Sequence, residues 1–204
     1  GAVFIMISHG LVTGALFLLI GMIYDRRHTR LISEYGGLGA VMPIYAGIFL
    51  FMAFASIGLP GLSGFVGEFG VLLGSYLTLP ALAIIAGSGV VLAAVYMLWA
   101  YERVFTGPLT NPKNEGLSDL GFRELAILVP LIVIVIGIGV YPQPVLDRIE
   151  PSVELILDRV EAQSDYDVPE FGRVDEVVEP GDVEIGPAES ETGEAEHGGE
   201  GDSE

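Results

Sequence analysis

No cysteine occurs in this chain of 204 residues, which excludes disulfides, thiolate metal sites and cysteine-held iron–sulfur clusters. Histidine is nearly as scarce: His9, His28 and His197 give no cluster with metal-ligand spacing. No glycine-rich phosphate loop sits between a strand and a helix. Between Glu34 and Glu102 charge is also missing, with the single exception of Glu68. The opening run, Gly1-Ala-Val-Phe-Ile-Met-Ile-Ser-His9, has no initiating Met and no positive segment before its apolar residues, so it is not read as a signal peptide. It reads as the middle of a membrane helix, and the chain is expected to be the C-terminal piece of something longer.

What is present divides sharply. The chain is 51% hydrophobic, with a mean hydropathy of +0.58, yet its formal charge is −18. Residues 1–149 hold 8 acids and 7 Lys/Arg, whereas residues 150–204 hold 19 acids and 2 Arg. A nearly neutral apolar body is thus followed by an acidic polar extension. Apolar runs of about 20 residues recur in the body, the length a spanning helix needs.

These runs cover residues 1–24, 41–79, 81–101 and 124–141, the last with Pro130 as an expected kink. Basic connections, 25–30 and 102–123, separate them, and Tyr141-Pro-Gln-Pro144 ends the series. The run 41–79 is too long for one straight span, since 39 residues at ~1.5 Å each reach roughly 58 Å against a ~30 Å hydrocarbon core. It is either two tight spans or one span built of two half-helices broken at 59–61, by Pro60-Gly61. With one broken span both basic connections fall on the same side and both obey the positive-inside rule. We therefore expect an all-α polytopic membrane domain over 1–144 with four transmembrane helices, one discontinuous, and loops 25–40 and 102–123 cytoplasmic. Residues 145–162 place Leu146, Ile149, Val153, Ile156, Leu157 and Val160 at helical spacing, which predicts an amphipathic surface helix. Residues 163–204 read as a disordered acidic tail on the external side.

Glu68 carries the strongest functional signal. A carboxylate at the bilayer centre costs roughly 2.5–3.5 kcal/mol on insertion scales, and such groups mark ion paths, proton relays or buried pairs. It follows the break by seven or eight residues, and broken helices recur at transporter ion sites. The plainer reading is a buried acid that stays neutral and never titrates. His9 can accept and donate within a proton wire, or equally pack with one hydrogen bond satisfied. Thr13, Ser56, Ser63, Ser75, Tyr76, Ser88 and Tyr96 can hold water or serve as ordinary helix contacts. Arg26, Arg27 and Arg30 are explained by topology, and Trp99 and Tyr101 by an interfacial aromatic belt.

The run Gly58-Leu-Pro-Gly-Leu-Ser-Gly-Phe-Val-Gly-Glu-Phe69 closely resembles subunit M of bacterial-type respiratory complex I, the counterpart of mitochondrial NADH dehydrogenase subunit 4. Ser8-His-Gly10, Gly14-Ala-Leu-Phe17, Tyr24-Asp-Arg-Arg-His-Thr-Arg30, Gly37-Leu38, Ala55-Ser56, Arg123-Glu-Leu125 and Gly139-Val-Tyr-Pro-Gln-Pro144 continue the pattern, over about residues 1–148. Sister subunits L and N and Mrp-type antiporter subunits look similar here but usually place Lys where this chain has Glu68. The resemblance implies an antiporter-like helix bundle and a proton-translocating subunit of an NADH (or other donor):quinone oxidoreductase. It implies no redox centre in this chain, with quinone, flavin and iron–sulfur clusters held by other subunits. It makes Glu68 the terminal proton carrier of the discontinuous helix and His9 a relay on the central polar axis. The family's other key Glu and two Lys match no position here, and the tail after Ala162 has no counterpart. Implied partners are subunits L and N and the bilayer of a prokaryotic plasma membrane, with no nucleic acid. The alternatives are a cation/proton antiporter subunit of Mrp or hydrogenase-linked type, and a structural membrane scaffold.

Overall fold

The computed structural model describes residues 1–163, and among these every regular element is helical. Two compact units are distinguished, 1–156 and 157–204, and the fold below is that of the first. The expected acidic tail beyond Gln163 lies outside the described residues.

Six α-helices follow one another: α1 (Ala2–Arg27), α2 (Pro43–Ile57), α3 (Ser63–Thr78), α4 (Pro80–Phe105), α5 (Phe122–Val140) and α6 (Gln143–Gln163). Pro43 and Pro80 stand at the first positions of α2 and α4, where a missing N–H costs nothing. Helix α5 runs on through Pro130 as a single element. Three helices, α1, α4 and α5, are long and apolar enough to cross a membrane. Helix α2, at 15 residues, is apolar but reaches only roughly 22 Å.

Side-chain spacing sets how these helices pack. Along α1, Gly1 meets Gly70, Ile5 meets Gly67 and Ser8 meets Ser63, so α3 runs antiparallel to it. Further on, Val12 clusters with Ala55, and the Leu19 carbonyl accepts a 2.9 Å hydrogen bond from the Tyr45 hydroxyl. Helices α2 and α3 therefore lie end to end along α1. Helix α4 packs on both and α5 on α1 and α3. The larger core sits beside α2, where Leu19, Met42, Tyr45, Met52, Phe105 and Leu128 bury their side chains. Phe49, Tyr101 and Phe105 stack beside them, with Tyr101 and Phe105 centroids 4.7 Å apart.

The end of the bundle where α1 stops is fastened by polar groups. Arg26 forms a two-pronged pair with Glu124, both contacts 2.7 Å, and also donates to the carbonyls of Met22, Ser118 and Asp119. Asp119 in turn caps α2 from 75 residues away: Oδ2 accepts from Ile44 N–H at 2.8 Å and Oδ1 from Tyr45 N–H at 3.0 Å. These are donors that a helix start leaves without internal partners. Helix α4 contrasts with this end: Leu82, Ile84, Ile85, Val91, Leu92 and Val95 are all exposed. Such a face suits lipid or neighbouring apolar helices rather than water.

On α6, Leu146, Ile149 and Val153 are half-buried and Ile156 of the expected apolar face is exposed; in the second unit Leu157 is half-buried and Val160 exposed.

Candidate functional site: a carboxyl group at a helix break

Residues 58–62 separate α2 from α3. Gly58 ends α2 in the left-handed region, φ 82°, a conformation that glycine adopts without strain. The Phe54 carbonyl takes both the Gly58 and the Leu59 N–H, and Pro60 has no N–H to give. The carbonyls of Ala55, Ser56 and Ile57 are consequently without a backbone partner among the described residues. No side chain caps the start of α3 either. Opposed helix ends with free backbone groups therefore meet at this point, within the apolar body. From the other side α5 closes on the break: a side chain at Gly139 would come within 2.6 Å of the Gly61 carbonyl oxygen.

Glu68 lies on α3, one turn beyond Gly64 and on the same face. Helical side chains lean toward the N-terminus, and here that lean carries the carboxyl group back to the break. A Cβ built on Gly58 would collide with Glu68 Oε2 and lie 2.9 Å from Cδ. Gly64 lets the two helices close at this point, since its own Cβ position falls against the Ala55 carbonyl oxygen. The half-buried carboxyl group opens on a cleft of about 280 Å³ between α1, α2, α3 and α4, lined among others by Ile5, Ser56, Leu72 and Gly89. Among the described residues no hydrogen bond or ion pair engages the Glu68 side chain.

Residues 1–95 match the sequence family described as NADH:quinone oxidoreductase/Mrp antiporter, TM. The NADH-quinone oxidoreductase subunit M of Rhodobacter capsulatus is 50% identical over 162 residues, 79% of this chain and 32% of the relative. The NADH-ubiquinone oxidoreductase chain 4 of Arabidopsis thaliana is 44% identical over 153 residues, 75% of this chain and 31% of the relative. Respiratory complex I from Thermus thermophilus, solved with bound NADH, contains a chain that superposes with TM-score 0.64 at 37% identity, covering 68% of this chain and 29% of that one. The match to this family covers residues 1–95, and over about three quarters of its length the chain is similar to relatives named subunit M or chain 4. It spans about a third of the length of the curated relatives it matches.

The other expected site residue stands apart from Glu68. His9 is exposed, within 3.2 Å of the Thr13 hydroxyl through Nδ1, and it does not line the cleft. Its neighbour Ser8 faces inward instead, sharing a 2.7 Å hydrogen bond with Ser63 in which both residues are buried. Of the hydroxyls named from the sequence, Ser56 alone borders the cleft. Ser88 bonds to the Ile85 carbonyl of its own helix. Two residues carry more than the sequence showed. The partner of Ser8 is 55 residues away, beyond any local pattern, and the role of Gly58 depends on where the Glu68 side chain lands. The described residues contain no group of three or more His, Cys, Asp or Glu able to hold a metal ion.

Proposed function

We propose that the chain acts as a proton-translocating membrane subunit of an NADH (or other donor):quinone oxidoreductase, supporting respiratory electron transport coupled to proton pumping. The observation that carries this is the lone Glu68 carboxyl group, seated at a helix break and opening on a cleft. A group without a fixed protein partner can gain and lose a proton without breaking an ion pair, as a carrier must. The electron chemistry belongs to other subunits, and this chain contributes a change of protonation.

In this reading α2 and α3 make one discontinuous crossing, and with α1, α4 and α5 they give four. The free carbonyls at the break are tolerated because they are packed in protein and border a cavity. Loops 25–40 and 102–123 then share the cytoplasmic side of a prokaryotic plasma membrane, where Arg26, Arg27, Arg30, Arg103, Lys113 and Arg123 satisfy the positive-inside rule. The tail lies outside, and antiporter-like subunits L and N are the membrane neighbours. Glu68 releases its proton outward along the α3–α4 cleft. His9, beside Thr13, is the second proton-handling group. The relatives' names favour a quinone-linked complex over an independent antiporter, for which sodium-dependent transport would be the mark.

The test is Glu68→Gln in the assembled complex, reconstituted in sealed vesicles. The expected result is a loss of protons moved per quinone reduced, with assembly intact. Full pumping at a normal rate of quinone reduction would overturn the proposal and leave Glu68 a structural acid.

A further inference from the structure

We propose that Gly58 is the positioning residue for Glu68: the missing side chain at the break is the seat on which the carboxyl group rests. The inference deepens the proton-carrier reading and rests on it.

The argument begins with two separate demands on position 58. The backbone must end α2 with φ 82°, and the space outside Cα must stay empty because the Glu68 carboxyl group fills it. The first demand alone does not require glycine, since asparagine also enters the left-handed region at helix ends. The second is met by glycine alone unless the carboxyl group moves: a Cβ at position 58, that of asparagine included, would take the place of Glu68 Oε2. The seat is part of a line. Gly58, Gly64 and Glu68 lie together, with the Gly58 Cα 3.5 Å from where a Gly64 Cβ would be. Gly64 is bare for a different reason: a Cβ there would meet the Ala55 carbonyl oxygen, so its absence lets the end of α2 lie close on α3 and brings Gly58 within reach of Glu68, one turn on. On the neighbouring face of α3, Gly67 sits 2.8 Å, measured from its Cβ position, from the Ile5 Cα. Helix α3 therefore cannot roll toward α1 to relieve crowding at Glu68. The carboxyl group sits between the end of α2 and the cleft that Ser56 and Ile57 line. Displaced from there, Glu68 would extend into the cleft and lose the fixed distance to whatever passes it a proton. Proton transfer is sensitive to such displacements, since a misplacement of ~1 Å can lower a rate by up to about a hundredfold.

The experiment uses the assembled complex in membrane vesicles and four variants: Gly58→Asn, Glu68→Asp, the two combined, and Glu68→Gln. Two quantities are read, the protons translocated per quinone reduced and the infrared carboxyl band that Glu68→Gln abolishes. Gly58→Asn keeps the helix ending but adds a Cβ, so pumping should fall roughly tenfold and the band should shift. Aspartate is one methylene shorter and withdraws from the new side chain. The combined variant should therefore pump better than the product of the two single losses, the mark of direct coupling. Normal pumping with an unshifted band in Gly58→Asn, or losses that simply multiply in the combined variant, would overturn the role of Gly58. If Gly58→Asn fails to assemble, recovery of assembly in the combined variant supports the contact and continued failure overturns it. Normal pumping by Glu68→Gln would instead remove the carrier reading itself, so the two failures are distinguishable.

Discussion

At the end of the bundle where α1 stops and α2 and α5 begin, Arg26, Asp119 and Glu124 join three helices through charge-assisted hydrogen bonds. At the break, 58–62, the helices meet through bare backbone: glycines against backbone atoms, free carbonyls, and one buried hydroxyl pair. Both regions contain carboxyl groups, but in opposite settings. Glu124 is held by both prongs of a guanidinium and by the Gly121 N–H at 2.8 Å, so its charge is fixed. Glu68 has a seat and no ionic partner among the described residues. The difference separates two uses of an acid in one membrane protein. One is pinned to fasten helices, and the other rests against bare backbone with no ionic partner among the described residues, the setting that the proposed carrier requires.

The contrast makes its largest prediction at Arg26. Arg26→Ala leaves Glu124 without its partner and strips donors from three backbone carbonyls. Breaking a buried pair from one side costs about 3–5 kcal/mol, and the partial exposure of this pair places it at the lower end, near 3 kcal/mol. The chain in detergent micelles should unfold at a clearly lower temperature, followed by loss of helical circular dichroism. Arg26→Lys should rescue little, because an ammonium group lacks the planar fork that matches a carboxylate. A negligible shift would show that this end is not the anchor.

Asp119 gives the next effect. Its carboxylate accepts from Ile44, Tyr45 and Leu120 N–H groups, so it caps α2 from a distant loop. Asp119→Ala should cost about 1–2 kcal/mol in the same measurement, and Asp119→Asn clearly less, since asparagine caps nearly as well. Recovery by Asn would show that cap geometry matters more than charge. No recovery would move Asp119 into the ionic network of Arg26.

The cap also shows where reading the sequence runs out. Apolar runs, Pro60-Gly61 and the isolation of Glu68 were legible because each is a local pattern with a local cause: hydropathy, a missing N–H, a charge without neighbours. The same run holds Gly58, Gly61, Gly64, Gly67 and Gly70, but nothing local says what each of them faces. Gly67 and Gly70 admit the start of α1, Gly64 admits the end of α2, and Gly58 makes room for Glu68. That split depends on the rotation of α3, which is set by helices on either side of it. Arg26 was read as a topology signal, and nothing in its neighbourhood announces a carboxylate 98 residues on. Asp119 sits in a polar loop that reads like any other. Such pairings follow from the crossing of helices, and no spacing along the chain encodes them.

The smallest effect belongs to Ser8, and it bears most directly on how the break works. The Ser8–Ser63 hydrogen bond is the one buried side-chain pair that ties α1 to the first turn of α3 among the described residues. Hydrogen bonds between membrane helices contribute on average about 0.6 kcal/mol, because each hydroxyl finds other acceptors when the pair is lost. Ser8→Ala should therefore lower stability by no more than about 1 kcal/mol. It should leave pumping per electron unchanged, since neither serine borders the cleft that Glu68 faces. Ser8→Val is the sharper variant. Its branched side chain would stand against Ser63, where the two hydroxyls now meet, and it would push α3 outward. Pumping should then fall together with stability, because Glu68 would be carried off its seat with the helix. If Ser8→Ala alone stopped pumping as fully as Glu68→Gln, the hydroxyl pair would belong to the proton path, and the line between fastening and carrying would have to be drawn on the other side of α1.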